Sequence, residues 1–125
     1  MNSELTTKLK DKYPAFFRDL YGDPSQTCMA FGIECGDGWY GLLEKLCEDI
    51  AASNPPEDFR FAQIKEKFGG LTVYVDFGNE KIFSLTTEVE QESYKVCEFC
   101  GTRDNVTSEG SWILTLCSTC RQNRK

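Results

Sequence analysis

Four cysteines near the carboxyl end of the chain have the spacing of metal ligands. Two residues separate Cys97 from Cys100, two separate Cys117 from Cys120, and sixteen residues lie between the pairs. A tight turn over two residues brings both thiolates of a pair to one ion, and this paired spacing is typical of zinc sites. Four thiolates complete a tetrahedral coordination shell. The sequence therefore predicts one structural Zn²⁺ per chain, with no open position for catalysis at the metal.

Other chemistries remain open for the same four residues. A set of four cysteines also suits an iron–sulfur cluster, and a Cys-x-x-Cys pair can act as a redox dithiol. The four thiols could also form a reduced core without metal. Zinc is favoured, because redox chemistry needs only one pair and the two pairs together match the spacing of a closed zinc site.

The remaining three cysteines show no metal spacing. Cys47 lies on the apolar face of a predicted helix, which indicates a core residue. Cys28 and Cys35 fall in a predicted loop. A second metal site made from these three with Glu34 or Asp37 is possible by residue type, but nothing in their spacing favours it.

Composition argues against an enzyme. The chain contains no histidine, which removes the commonest general base and every triad that depends on it. It also lacks a glycine-rich phosphate loop and a recognisable nucleophile motif. We therefore expect a non-enzymatic protein.

Charge and cysteine content bear on the binding partners and the cellular compartment that we expect for this protein. The net charge of −6 disfavours broad binding to nucleic acid or anionic membranes. No apolar run approaches the ~18 residues of a membrane span, and the first residues lack the apolar region of a secretory signal. Seven cysteines without a signal indicate reduced thiols, so we expect a cytoplasmic protein.

The elements that position the cysteines follow from periodicity and from glycine and proline positions. Apolar residues at helical spacing predict four helices, over residues 4–12, 14–22, 38–53 and 80–96. Alternation of apolar and polar residues predicts a β-hairpin over residues 59–77. The predicted fold is α+β, with helices packed on a small antiparallel sheet. Residues 1–96 form the α+β domain, and residues 97–125 form a Cys₄ zinc ribbon that continues from the last helix.

Two short segments invite a functional interpretation. In CGDGW, Asp37 is a plausible N-cap of the following helix, and Trp39 is a plausible core anchor. In KEKFGG, Gly69 and Gly70 predict a two-residue hairpin turn. Lys65 and Lys67 share a strand face with Gln63 and, across the hairpin, with Tyr74, which suits either a polar contact surface or an ordinary solvated face.

Three segments together resemble a set of small uncharacterised proteins encoded by bacteriophages and bacterial chromosomes. They are ECGDGWYGLLEKLC (34–47), QIKEKFGGLTVYV (63–75) and SYKVCEFCG…LCSTC (93–120). The resemblance covers roughly residues 30–120 in the same order. It implies a shared fold and a phage or bacterial setting, hence the host bacterial cytoplasm for a phage protein. It implies no activity and no catalytic residues.

Two functions compete. The first is a protein-interaction module that modulates a host enzyme or defence complex, with an acidic surface over residues 34–58 made of Glu34, Asp37, Glu44, Glu48, Asp49, Glu57 and Asp58. The alternative is a nucleic-acid-binding zinc ribbon, for which Phe99 and Trp112 supply stacking surfaces. Its candidate phosphate contacts are Arg103, Arg121, Arg124 and Lys125. The acidity of the chain and the lack of a basic stripe favour the first.

Overall fold

The computed structural model describes residues 1–124 as four α-helices and five strands, with two short 3-10 helical turns. In chain order the elements are α1 Ser3–Lys12, β1 Ile33–Glu34, α2 Tyr40–Ala52, β2 Arg60–Lys67, β3 Gly70–Asp76, α3 Glu80–Ser93, β4 Val106–Glu109, β5 Leu114–Cys117 and α4 Ser118–Asn123. Among these residues no helix is both long enough and apolar enough to cross a membrane. The predicted α+β class is confirmed.

The main sheet has the order β1-β2-β3, in which the predicted hairpin supplies the antiparallel pair. The two-residue strand β1 adds a short parallel pairing with β2. The hairpin turn lies one residue earlier than predicted, because Lys67 pairs with Gly70 and leaves Phe68 and Gly69 as the central residues. Both have positive φ, +52° and +85°, as a type I′ turn requires.

Helix α3 connects the hairpin to the cysteines. The Asn79 side chain accepts a hydrogen bond from the Ile82 amide at 3.0 Å and so caps the helix. The helix packs on both β3 and α2. It ends at Ser93, whose hydroxyl accepts from the Leu71 amide at 2.8 Å. Residues 94–96 form a turn, so the predicted helix over 80–96 was three residues too long.

The predicted amphipathic helix over 38–53 is confirmed as α2, and its apolar face lies in the core. Trp39, just before this helix, is fully buried, and its indole Nε1 donates to the Val96 carbonyl at 2.8 Å. Trp39 therefore anchors the start of α2 to the end of the α3 segment. The other large, fully buried side chains of the same core cluster are Phe17, Phe59, Phe61, Leu9, Met29, Leu43, Ile50, Ile64, Leu71 and Ile82.

The predicted helix over 14–22 was wrong, since this segment forms successive turns. Two backbone carbonyls that would accept hydrogen bonds within a helix here accept them from other groups. The Phe16 carbonyl accepts from the Phe61 amide at 2.9 Å, and the Ala15 carbonyl accepts from the Arg18 side chain at 2.6 Å. Arg18 also donates to the Phe59 carbonyl. Contacts with the start of β2 therefore override the local helical pattern.

The predicted loop over 22–38 includes the short strand β1 and a 3-10 turn at Cys28–Phe31. Asp37 does not cap α2 as predicted. Its carboxylate instead accepts from the backbone amide and the side-chain amide of Asn2, at 2.8 and 3.0 Å. The residue in the N-cap position of α2 is Trp39, which makes no side-chain capping bond.

The carboxyl-terminal ribbon consists of the antiparallel pair β4–β5 followed by α4. Its buried apolar cluster contains only Cys97, Leu116 and Cys117, whereas the larger cluster runs from Leu9 to Val96. The division into a domain over 1–96 and a module over 97–125 remains a prediction. A ribbon core this small, with two cysteines among its three members, has little apolar burial of its own.

Candidate metal centre

The first cysteine pair lies in a tight turn that begins directly after the α3 segment. The Gly101 amide donates to the Cys97 carbonyl at 2.9 Å, and the Cys97 amide donates to the Thr102 carbonyl at 2.9 Å. Gly101 has φ +84°, a conformation that glycine adopts without steric cost. The Cys100 amide points at the Cys97 sulfur, 3.5 Å away.

The second pair joins β5 to α4. Cys117 is the N-cap of α4, and its sulfur accepts from the Cys120 amide at 3.4 Å. Each pair thus directs one backbone N–H at one sulfur. In the first pair this donor favours the charged form of the Cys97 thiol.

The hairpin β4–β5 returns the second pair to the first. The sulfurs of Cys97, Cys100, Cys117 and Cys120 all lie within 4.8 Å of one another, so the group could hold a metal ion. The Cys100 and Cys117 sulfurs are 3.8 Å apart. Tetrahedral geometry with metal–sulfur bonds of ~2.3 Å gives sulfur separations of ~3.8 Å. The protein geometry therefore fits a tetrahedral Cys₄ site.

The electrostatics of the four thiols also suit a cation. Burial opposes a charge on Cys97, but amide N–H groups from Cys100, Cys117 and Phe99 outweigh it and lower the pKa of that thiol to about 6. Burial, followed by contacts with the other three cysteines, raises the pKa of Cys120 to about 12. A negative charge on one sulfur therefore makes it harder to deprotonate a neighbouring thiol. A bound cation removes this penalty, which is why thiolate sites take up metal as they lose protons.

The other three cysteines do not form a site. Cys28 is exposed, while Cys35 and Cys47 are buried. Burial raises the pKa of the Cys35 thiol to about 12 and that of Cys47 still further. Within residues 1–124 none of these cysteines lies in a group of three or more potential metal ligands, and Cys47 is the core residue that its helix position predicted.

The CGDGW segment holds the first cysteine turn. The Gly38 amide donates to the Glu98 carbonyl at 2.8 Å, and the Gly36 amide donates to the Glu98 carboxylate at 2.9 Å. A Cβ on Gly38 would lie 2.2 Å from the Cys97 carbonyl oxygen and 2.6 Å from the Gly101 nitrogen. Only a glycine allows this approach, so the segment is a backbone clasp on the metal centre.

The KEKFGG segment contacts the ribbon from the other side. The buried Thr115 hydroxyl donates to the Gly69 carbonyl at 2.6 Å, and the Thr115 carbonyl accepts from the Glu98 amide at 3.0 Å. A Cβ on Gly69 would meet both Thr115 and Ile113 at 3.0 Å. Sequence reasoning missed Thr115 and Glu98. In the sequence, only their closeness to the cysteines could have drawn attention to them. The residues that they bind, Gly69 for Thr115 and Gly38 for Glu98, are distant in the chain.

The same contact creates an apolar cleft between the tips of the two hairpins. We call it the tip cleft; it has a volume of about 390 Å³ and is lined by Glu66, Lys67, Phe68, Ser111, Trp112 and Ile113. Phe68 is 72% exposed and Trp112 is 76% exposed. Large aromatic side chains this exposed and this close together are typical of a contact surface.

Two of the four residues of the predicted basic surface have partners within the protein. Arg121 donates to the Thr107 and Leu114 carbonyls at 2.7 and 3.0 Å, across the ends of β4 and β5. Arg103 pairs with Glu92 at 3.1 Å. Arg124 follows α4 and is exposed, and Lys125 lies outside the described residues.

Three of the seven residues of the predicted acidic surface likewise have partners within the protein. Besides Asp37, which binds Asn2, Glu44 accepts from Tyr40 and from Lys12, and these two bonds lower the pKa of its carboxyl. Asp49 pairs with Lys45 at 2.9 Å. The exposed remainder is Glu34, Glu48, Glu57 and Asp58.

Comparisons with protein-family models, with curated proteins and with solved structures each gave no match.

Proposed function

We propose that this chain is a non-enzymatic zinc-binding accessory protein that acts by contacting another protein. Zinc is the metal we propose, because two Cys-x-x-Cys pairs whose sulfurs lie within 4.8 Å of one another form the ligand set of a structural zinc site. From the resemblance of its three segments we further propose a phage origin and action in the host bacterial cytoplasm, on a host enzyme or defence complex.

The tip cleft is the observation that carries the proposal. Phe68 and Trp112 belong to different hairpins, and the bond from Thr115 to Gly69 holds the two tips together. The zinc centre fixes the ribbon that contributes Trp112. The proposed role of zinc is therefore to hold the tip cleft in shape. We propose that the partner protein binds at this cleft.

Backbone strain at Phe68 supports the same view. This residue has φ +52°, in a turn position that favours asparagine or glycine. A bulky residue there costs ~1–3 kcal/mol, and the ring is too exposed to recover this by burial. This strain counts toward a role in binding because Phe68 also lines the tip cleft.

Replacing Phe68 with asparagine is therefore expected to stabilise the protein by about 1 kcal/mol, because asparagine tolerates positive φ. Urea unfolding at constant free zinc measures the change. Phe83→Asn is the control, since Phe83 is also an exposed aromatic residue but lies in helix α3, where asparagine brings no gain. Equal effects of the two changes would contradict the strain at Phe68.

The nucleic-acid alternative has less support. Two of its four candidate cations, Arg103 and Arg121, have partners within the protein, and the net charge of −6 becomes about −8 with four thiolates and one Zn²⁺. A gel shift at ~50 mM salt tests it, because phosphate contacts are strongest at low salt.

An affinity capture from host lysate tests the proposed function. We expect the full chain to retain a defined host protein, and Trp112→Ala and Cys97→Ser to lose it. Phe83→Ala is the matched control, because it removes an exposed aromatic side chain away from the tip cleft. Capture that all three variants retain, or no specific capture by the unmodified chain, would contradict a zinc-dependent contact at the cleft.

A further inference from the structure

The polar groups of the tip cleft are mainly donors. The Lys67 ammonium and the Trp112 indole N–H can only donate, whereas the Ser111 hydroxyl can donate or accept; all three residues are exposed. The one carboxylate, that of Glu66, already accepts from the Gly69 amide at 2.7 Å through one oxygen. A ligand that matches this cleft presents apolar surface and hydrogen-bond acceptors.

We propose that the tip cleft binds a proline-rich, extended segment of the partner protein. Proline has no backbone N–H, so a polyproline II segment offers carbonyl acceptors and apolar rings with few donors. Aromatic-lined grooves recognise such segments, because the ligand is already ordered and loses little entropy on binding. This inference rests on the proposed function and names the chemistry of its partner.

The position of the aromatic side chains fits such a ligand. Phe68 is fixed by a two-residue turn, and Trp112 lies in the loop between β4 and β5. Lys67 lies 6.0 Å from the Phe68 ring centroid, which places a cationic donor beside the aromatic wall. Rings of the ligand can pack between the two aromatic side chains while its carbonyls accept from the cleft.

Two other occupants fit less well. A stable dimer interface takes about 20–30 residues from each partner, whereas only six residues line the tip cleft. Single-stranded nucleic acid also stacks on aromatic rings, but it needs a cationic groove along its backbone. Here Lys67 is the one cation in the lining and stands beside Glu66.

Tryptophan fluorescence of the zinc-loaded full chain tests the inference. Trp39 is fully buried and Trp112 is 76% exposed, so a ligand in the cleft changes mainly the emission of Trp112. The probes are decaproline and two decapeptides with a Pro-x-x-Pro core, one carrying arginine and one carrying glutamate. We expect a saturable blue shift with at least one of them and none with a Gly-Ser decapeptide.

Calorimetric titrations of the variants locate the binding. We expect Trp112→Ala and Phe68→Asn each to weaken peptide affinity by at least tenfold, as truncation of a central aromatic contact does. Phe83→Ala leaves it unchanged. Zinc content and amide NMR spectra verify that the variants retain the fold. Affinity that survives both cleft changes in folded protein would overturn the assignment.

Three further outcomes separate this inference from the proposed function. No shift with any proline peptide up to ~1 mM, together with host-protein capture that still depends on Trp112, overturns the proline-rich ligand and leaves the interaction protein standing. Oligothymidine that binds and is lost in Trp112→Ala overturns both. Peptide binding with no captured host protein contradicts the proposed partner.

Discussion

Replacing Cys97 with serine is expected to abolish zinc binding and to unfold the ribbon while the larger core persists. Serine removes a thiolate that amide groups stabilise and that lies with the other three sulfurs within 4.8 Å. Structural zinc contributes ~10–16 kcal/mol of apparent binding free energy in small peptides. A whole domain has a net stability of only ~5–15 kcal/mol, so the ribbon cannot compensate for the loss.

The composition of the ribbon core sets this expectation. Of its three buried members two are cysteines of the centre, and only Leu116 is an ordinary apolar residue. The larger cluster includes Trp39, Phe61 and Ile64 and contains no cysteine of the centre. We therefore expect amide exchange to increase throughout β4, β5 and α4, and far less in α2 and the β2–β3 hairpin.

Elemental analysis and hydrogen exchange measure the two effects together. The control is Cys28→Ser, since Cys28 is exposed and outside the cysteine group. It should retain one zinc per chain and unchanged exchange. A Cys97→Ser protein with one zinc and a protected ribbon would contradict the site. An iron–sulfur absorption spectrum of the unmodified chain would show that the four cysteines hold an iron–sulfur cluster instead of zinc.

The features predicted well from sequence depend on neighbours along the chain. The alternation in Leu71, Val73 and Val75 predicted β3, and the spacing of Leu43, Leu46, Cys47 and Ile50 predicted α2. The two cysteine turns follow from their two-residue spacings. Each pattern is local, because the residues that form the element also carry the signal for it.

The predictions that failed depend on distant residues. Phe61 bonds the Phe16 carbonyl, forty-five positions away, and prevents a helix that local propensity favours. Asn2 binds Asp37 and removes it from the expected capping role. Partners of this kind leave no periodicity in the sequence, so only the folded chain identifies them.

In the CGDGW and KEKFGG segments, too, the sequence predicted local turns but not the contacts with distant residues. Their glycines suggested turns, and Gly69 does lie in one. The tight packing of Gly38 and Gly69 against the ribbon became visible only in the structure. Two of the three segments that carry the resemblance thus converge on the third. These two contacts join the cysteine ribbon to the rest of the chain.

Replacing Gly38 with alanine is expected to be strongly destabilising despite the small size of the change. The new methyl group would lie 2.2 Å from the Cys97 carbonyl oxygen and 2.6 Å from the Glu98 carbonyl oxygen. Both are backbone atoms, so no side chain can rotate away. Overpacking of this kind costs ~1–3 kcal/mol, and separation of the clasp also loses the bond from Gly38 to Glu98.

Gly41→Ala is the matched control for this prediction, three residues away on α2. A Cβ there meets nothing within 4 Å, and alanine in a helix gains ~0.5–1 kcal/mol over glycine. The two substitutions therefore have opposite expected signs in urea unfolding at constant free zinc. Chelator competition should also show weaker zinc binding for Gly38→Ala alone, because the clasp touches the cysteine turn. If Gly38→Ala matched Gly41→Ala in both measurements, the clasp would not support the metal centre.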